Sequence, residues 1–205
     1  MTTFEQLTTP AALVDVAQMQ RNIDRMQSRM NELGVKFRPH VKTTKCLEVI
    51  RAQTAAGAQG ITVSTLKEAE QFFAAGITDI LYAVGIVPNK FAQALALRQQ
   101  GCDLKLITDN VDMALALGRF GKEHGHQFEL WIEIDCDGHR SGIPPEAKLL
   151  IEVGSAVLEG GSVLGGVMTH AGSSYDLDTH EAHVAMAEQV RAGCVRAADR
   201  LRSQG

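Results

Sequence analysis

Short apolar, β-branched runs alternate with longer segments of helical periodicity along nearly the whole chain. This pattern restricts the sequence to repeated β/α units around a parallel sheet. The strand-like runs are Ala11 to Val16, Val35 to Val41, Gly60 to Ser64, Asp79 to Val84, Leu104 to Thr108, Phe128 to Asp135 and Leu164 to His170. Helical segments lie near residues 17–33, 45–57, 66–75, 89–100, 110–123, 146–158 and 178–203. One helix start is explicit: Thr65-Leu66-Lys67-Glu68 has capping-box spacing, and Ala75-Gly76 supplies the stop. No linker, low-complexity tract or repeat interrupts the series, so residues 1–205 read as one domain.

Residues able to do chemistry recur where the strand-like runs end or near those ends: Lys42, Ser64, Tyr82, Asp109, Asp135 and His170. Active sites of (β/α)8 barrels form on that face, because the βα loops converge there. An open dinucleotide-binding sheet would need a GxGxxG turn after its first strand, and the chain has none. The net charge of −4 provides no basic stripe for nucleic acid. No apolar run reaches the ~20 residues of a membrane span, and no signal-peptide pattern opens the chain, so a cytoplasmic location is the default expectation. Cys46, Cys102, Cys136 and Cys194 are too scattered for a zinc ribbon or a CxxC site.

Three segments carry the chemistry. In Arg38-Pro39-His40-Val41-Lys42-Thr43-Thr44-Lys45 a lysine directly follows an apolar run, so a strand could hold it and aim it into a cavity. Burial beside other cations disfavours the charged form of an ammonium, and a neutral amine condenses with an aldehyde. The same residues also read as a solvated basic turn that would attract any anion. In Asp135-Cys136-Asp137-Gly138-His139-Arg140-Ser141-Gly142 the glycines let backbone pass close to a ligand, and Arg140 can donate several hydrogen bonds to an oxygen acceptor. Asp135 is placed to hold Arg140; a polar turn with a surface Asp–Arg pair is the plainer alternative. In Thr169-His170-Ala171-Gly172-Ser173-Ser174-Tyr175 an imidazole at a strand end is flanked by small residues that leave room for a ring. His180 and His183 share a helical face but lack the HExxH pattern and a third ligand, so no metal residue is assigned. The pairs Gly160-Gly161 and Gly165-Gly166 read as turn and close packing, not as a phosphate loop.

Taken in order, these motifs resemble the D-threonine aldolase and D-serine dehydratase family, pyridoxal-phosphate enzymes related to alanine racemase. The similarity runs from Thr9-Pro10-Ala11-Ala12-Leu13-Val14-Asp15 to the last helix, and is strongest to the D-serine dehydratase-like branch in Thr169 to Tyr175. The resemblance implies a (β/α)8 TIM-type barrel of the alanine racemase N-terminal type. Within it, Lys42 would carry the cofactor as a Schiff base, and Arg140, in a segment similar to the D-x-G-x-x-R-x-G pattern, would face the cofactor's ring oxygen. His40 and His170 would contact the cofactor, and Tyr175 would lie toward the substrate. The family commonly has histidine where Thr44 stands, so that imidazole's role is missing here.

What the resemblance implies for function is a pyridoxal 5'-phosphate-dependent lyase acting on small D-β-hydroxy amino acids, a D-serine dehydratase or a D-threonine aldolase, working as a homodimer. A non-catalytic pyridoxal-phosphate homeostasis protein and an amino-acid racemase are the alternatives; no second base for the latter can be named. Family members continue past the position of Gly205 with further strands, a phosphate-gripping loop and a C-terminal β domain that supplies the ligands of a divalent zinc or manganese. On this reading the barrel is partial, with six strands, the C-terminal β domain and metal ligands absent, and Ala11 to Val16 as a strand that packs into that domain.

Overall fold

The structure, a computed structural model, describes residues 3–204. Its contacts cluster into two units, Met1–Gly60 and Ile61–Gly205, each described here by itself.

The first unit is built on two helices, α1 (Val16–Glu32) and α2 (Leu47–Ala56). Asp15 starts α1 by accepting the Gln18 N–H at 2.9 Å, which satisfies one of the donors a helix start leaves unpaired. Gly57, at φ +123°, ends α2, and a Cβ there would press on the Gln27 amide, so the glycine also sets how closely the two helices approach. Neither strand expected in this unit forms. Ala11 to Val16 is irregular chain running into the Asp15 cap, and Leu13, Val14 and Val16 are exposed. Val35 to Val41 is extended but reaches ladder geometry only at a single bridge position, His40. Pro39 explains this, since its ring removes the N–H that a ladder would need in the middle of the run.

The second unit holds a five-stranded, all-parallel sheet in the order β1-β2-β3-β4-β5. The strands are β1 (Ile61–Val63), β2 (Asp79–Gly85), β3 (Asp103–Thr108), β4 (Glu129–Ile134) and β5 (Val163–Thr169). The intervening helices are α3 (Leu66–Ala74), α4 (Phe91–Gln99), α5 (Val111–Glu123) and α6 (Lys148–Gly160), and α7 (His180–Arg202) follows β5. A strand order that follows the sequence, with crossovers of one hand, places the helices on one face. This is the barrel arrangement; a doubly wound sheet reverses its order. The ladder is open, with no β1–β5 pairing.

Local chemistry starts each helix. Thr65 and Glu68 form the expected capping box on α3, Asn110 caps α5 and Thr179 caps α7. The core is aliphatic: Ile80, Leu104, Leu106, Leu130, Ile132 and Ile134 are fully buried. Each such side chain contributes about 1.5–3 kcal/mol by leaving water. In β4 burial alternates residue by residue, so Leu130, Ile132 and Ile134 are buried while Glu129, Trp131 and Glu133 occupy the other, more open face. Helices α5 and α6 touch backbone to backbone, since a Cβ on Gly118 would collide with the Gly160 carbonyl. The glycine pairs thus act in packing: Gly161 ends α6 at φ +91°, and Gly165 and Gly166 lie under the Trp131 indole.

Candidate active site

In the first unit, Phe37 is half-buried and Pro39 and Val41 are buried, so alternate residues of the extended segment turn inward. Lys42, the next residue, therefore stands outward and is exposed. The burial expected of this amine is absent, and the order of the side chains along the extended run is the reason. The turn beneath it is closed by the Lys45 N–H donating to the Val41 carbonyl at 2.9 Å, which requires Lys45 to adopt φ +44°. A left-handed non-glycine residue costs roughly 1–2 kcal/mol. The Lys42 N–H donates to Nδ1 of His40 at 3.3 Å, tying that imidazole to the lysine's own backbone. Among the described residues the Lys42 ammonium makes no hydrogen bond or ion pair. The unit also has an apolar cavity of about 220 Å³ lined by Asn22, Ile23, Met26, Gln27, Phe37 and Gln53. No cationic side chain is among these lining residues.

In the second unit, the loops that follow β4 and β5 are held against each other. The β4 loop leaves at Asp135 and returns at Ile143, whose N–H donates to the Glu133 carbonyl at 2.9 Å and whose carbonyl accepts the Asp135 N–H at 3.0 Å. Inside it the Asp135 carboxylate accepts the Gly138 N–H at 2.8 Å and the Asp137 N–H at 3.3 Å. Asp135 thus shapes the turn and does not grip the Arg140 guanidinium as the sequence reading expected; the nearer backbone donors capture its oxygens. Arg140 is exposed and has no ion pair or side-chain hydrogen bond among the described residues.

The β5 loop brings His170 and Tyr175 together, with ring centroids 5.8 Å apart; Tyr175 is 73% exposed. Thr169 anchors the strand end by donating its hydroxyl to the Ile134 carbonyl at 2.6 Å. Two contacts join the loops. The Asp137 carboxylate accepts the Ser173 N–H at 2.9 Å and its hydroxyl at 2.7 Å, and the His139 ring and Arg140 Cβ lie directly over Gly172. Hydrogen bonding from Ser173 holds the Asp137 carboxyl below the usual aspartate range. From the far side α7 braces the same loop, with the Gln189 amide donating to the Cys136 carbonyl at 2.8 Å.

The structure therefore brings Arg140, His170 and Tyr175 onto adjoining loops of one unit, while His40 and Lys42 share a turn of the other. Tyr82 is not at a strand end: it is buried in mid-β2 with its hydroxyl accepting from Lys90 Nζ at 3.2 Å. Ser64 and Asp109 do lie just past β1 and β3, as expected of strand-end residues. Sequence reasoning passed over Asp137, Ser173 and Gly172, whose partners lie more than 30 residues away along the chain. His180 and His183 are exposed in the first turn of α7, and no group of three His, Cys, Asp or Glu side chains suited to a metal occurs among the described residues. Nor is any described helix long and apolar enough to cross a membrane.

Sequentially ordered parallel strands, with polar loops gathered at their carboxyl ends, define an α/β domain of the barrel class. More narrowly, the chain belongs to the alanine racemase N-terminal domain family, whose model matches residues 14–205. It is 61% identical over 204 residues to a D-threo-3-hydroxyaspartate dehydratase of Delftia sp. (strain HT23), covering 99% of this chain and 54% of that protein. The solved structure of the Delftia sp. HT23 enzyme superposes with a TM-score of 0.96 at 62% identity, over 97% of this chain and 53% of that one. More distant are a D-serine dehydratase of Dictyostelium discoideum, 31% identical over 86% of this chain and 48% of that protein, and a D-threonine aldolase of Arthrobacter sp., 29% identical over 96% and 52%. The chain spans about half the length of these relatives.

Proposed function

We propose that this chain carries the cofactor-binding part of a pyridoxal-phosphate-dependent lyase that dehydrates D-β-hydroxy amino acids, D-threo-3-hydroxyaspartate foremost. The observation that carries this reading is its 61% identity, over nearly the whole chain, to a dehydratase of that substrate, against 29% to the aldolase.

Residues of each unit, taken separately, suit the cofactor by their chemistry. Lys42 offers an unpaired amine for the aldehyde carbon, and Arg140 an unpaired, planar set of donors for the ring oxygen. His170 supplies a flat face. When bound, pyridoxal 5'-phosphate supplies an electron sink for the charge left when a bond to the substrate's α-carbon breaks. Lys42 Nζ would hold the cofactor at its aldehyde carbon. The Lys42 amine would take the proton from the substrate's α-carbon and give one to the β-hydroxyl, which would then leave as water. His40 would orient the lysine turn through its Nδ1 contact, and Tyr175 would face the substrate. By the resemblance, a divalent zinc or manganese would assist departure of the hydroxyl in the full-length protein; among the described residues no group of three His, Cys, Asp or Glu is suited to hold it. By the same resemblance we read the full-length protein as homodimeric, and we keep the default expectation of a cytoplasmic location.

Borohydride reduction of the chain with pyridoxal 5'-phosphate, followed by peptide mass mapping, tests the assignment. The expected label is on Lys42. A label on Lys45, or none on a chain shown to be folded, overturns it. Ammonia release from D-threo-3-hydroxyaspartate or D-serine marks a dehydratase, while glycine formed from D-threonine marks an aldolase. In the full-length protein, a Lys42 label without turnover would favour a non-catalytic carrier, and inversion of the α-carbon a racemase.

A further inference from the structure

Two loops carry the groups assigned to the cofactor ring, and neither Arg140 nor Tyr175 forms a bond that would hold the loops together. The direct polar link between them is Asp137, whose carboxylate accepts both the backbone N–H and the hydroxyl of Ser173, 36 residues further on. Hydrogen bonds to an ionised acceptor are shorter and about twice as strong as neutral ones. The joint is fixed on both sides. Asp135 closes the turn leading into Asp137, Gln189 holds the Cys136 carbonyl, and His139 and Arg140 rest on Gly172. The Ser141 hydroxyl, just past the arginine, donates to Glu133 at 2.8 Å. With its neighbours anchored, Arg140 has a fixed Cα while its guanidinium stays uncommitted.

We propose that Asp137 is a positioning residue: through Ser173 it sets the loop bearing Arg140 against the loop bearing His170 and Tyr175, so that the guanidinium meets the cofactor's ring oxygen while His170 meets the ring. This rests on the pyridoxal-phosphate reading above. Asp137 itself touches no cofactor atom on this account and acts through Arg140 and His170. A carboxylate merely stabilising the fold would change melting behaviour and leave the cofactor's spectrum alone.

The test uses the full chain with pyridoxal 5'-phosphate, following cofactor affinity, the absorbance maximum of the borohydride-reducible adduct and the pH dependence of that absorbance. Asp137→Ala is expected to weaken cofactor binding about tenfold, equivalent to about 1.4 kcal/mol of lost preorganisation, and to shift the absorbance in the same sense as Arg140→Lys. The double variant Asp137→Ala/Arg140→Lys should shift it no further than Arg140→Lys alone, because one residue acts through the other. Ser173→Thr, which keeps both donors, should match the wild type, whereas Ser173→Ala should fall between. Should Asp137→Ala not fold, Asp137→Asn and Ser173→Ala carry the test, each losing part of the joint. Additive shifts, or a folded Asp137 or Ser173→Ala variant with wild-type spectrum and affinity, overturn the proposal. If the wild type itself forms no reducible adduct, the pyridoxal-phosphate reading has failed and this proposal falls with it. A wild-type adduct with unaffected variants sinks the positioning role alone.

Discussion

The two ends of the five-stranded sheet are both rich in charge, but they use it differently. At the amino end Lys105, nearly buried, donates to Asp79 at 2.6 Å and to Asp103 at 2.5 Å; Arg98 reaches Asp103 at 3.4 Å and donates to Nε2 of His126 at 3.3 Å. His126 is kept below the ordinary imidazole range by burial and by the Arg98 charge, so it accepts that bond as a neutral ring. Burial also pushes the Cys102 thiol up to about 11, which makes it inert. These groups satisfy one another. At the carboxyl end the carboxylates of Asp135 and Asp137 are occupied by backbone N–H groups and a serine, and the Arg140 cation is left over. The contrast separates a network that holds the strands from an arrangement that holds loops and leaves a cation available, as barrel enzymes divide their two faces.

The strongest challenge to this view is mechanical, because it requires the carboxyl-end loops to be as firmly built as the amino end. Gly142 has φ +104°, and a Cβ there would sit 2.7 Å from the Glu133 carbonyl oxygen. Gly142→Ala should cost about 3 kcal/mol in urea unfolding, combining backbone strain with a clash that no side-chain rotation can relieve. Gly138, at φ +70° with open space around it, should cost only about 1 kcal/mol on the same change. Equal, small losses at both positions would mean that the β4 loop is loose and the comparison is wrong.

A second pair of substitutions separates the two uses of charge. Lys105→Met removes the ammonium shared by Asp79 and Asp103 and should cost about 2 kcal/mol, short of a fully buried pair because both carboxylates reach solvent. The cofactor adduct should keep its spectrum. Arg140→Lys should do the opposite, changing stability by less than about 0.5 kcal/mol while altering the adduct's absorbance and its titration, since the lysine loses the planar fork of donors. An unchanged spectrum in Arg140→Lys would show that the guanidinium points elsewhere.

These contrasts also explain what the sequence could reveal. All the helices and the five sheet strands were legible because their signals are local, such as the Thr65–Glu68 box or the alternation through Trp131. The two failures have local causes that strand propensity outweighed: Asp15 is a helix cap inside Ala11 to Val16, and Pro39 interrupts Val35 to Val41. In the site, Lys42, Arg140 and His170 were found by residue type and neighbours. The exposure of Lys42 was not, because it follows from Val41 turning inward, which only the packed segment decides. Nor was the Asp137–Ser173 joint, since nothing in either tripeptide indicates which loop lies beside it.

The smallest effect is also the most discriminating, because only one of the two ends should lose stability in alkali. Burial works against the charge on Lys105, but hydrogen bonds to Asp103 and Asp79 outweigh it and hold the ammonium above its ordinary 10.5. A raised folded-state value means the stabilisation is complete below pH 10.5 and fades as pH rises through the folded value. Asp137 is the reverse case: Ser173 holds it below its ordinary 3.8, so its contribution is present above pH 3.8 and fades as pH falls through the folded value. Unfolding free energies for the wild type, Lys105→Met and Asp137→Asn, each measured across pH, isolate these terms by difference. In alkali only the gap between wild type and Lys105→Met should narrow; the gap to Asp137→Asn should hold there and narrow in acid. The Asp137 gap should be the smaller of the two, because that carboxylate is the better solvated and its partner is uncharged. A gap to Asp137→Asn that stays constant into strong acid would mean that Ser173 does not distinguish the carboxylate from an amide, and that the joint between the loops is one of shape, not charge.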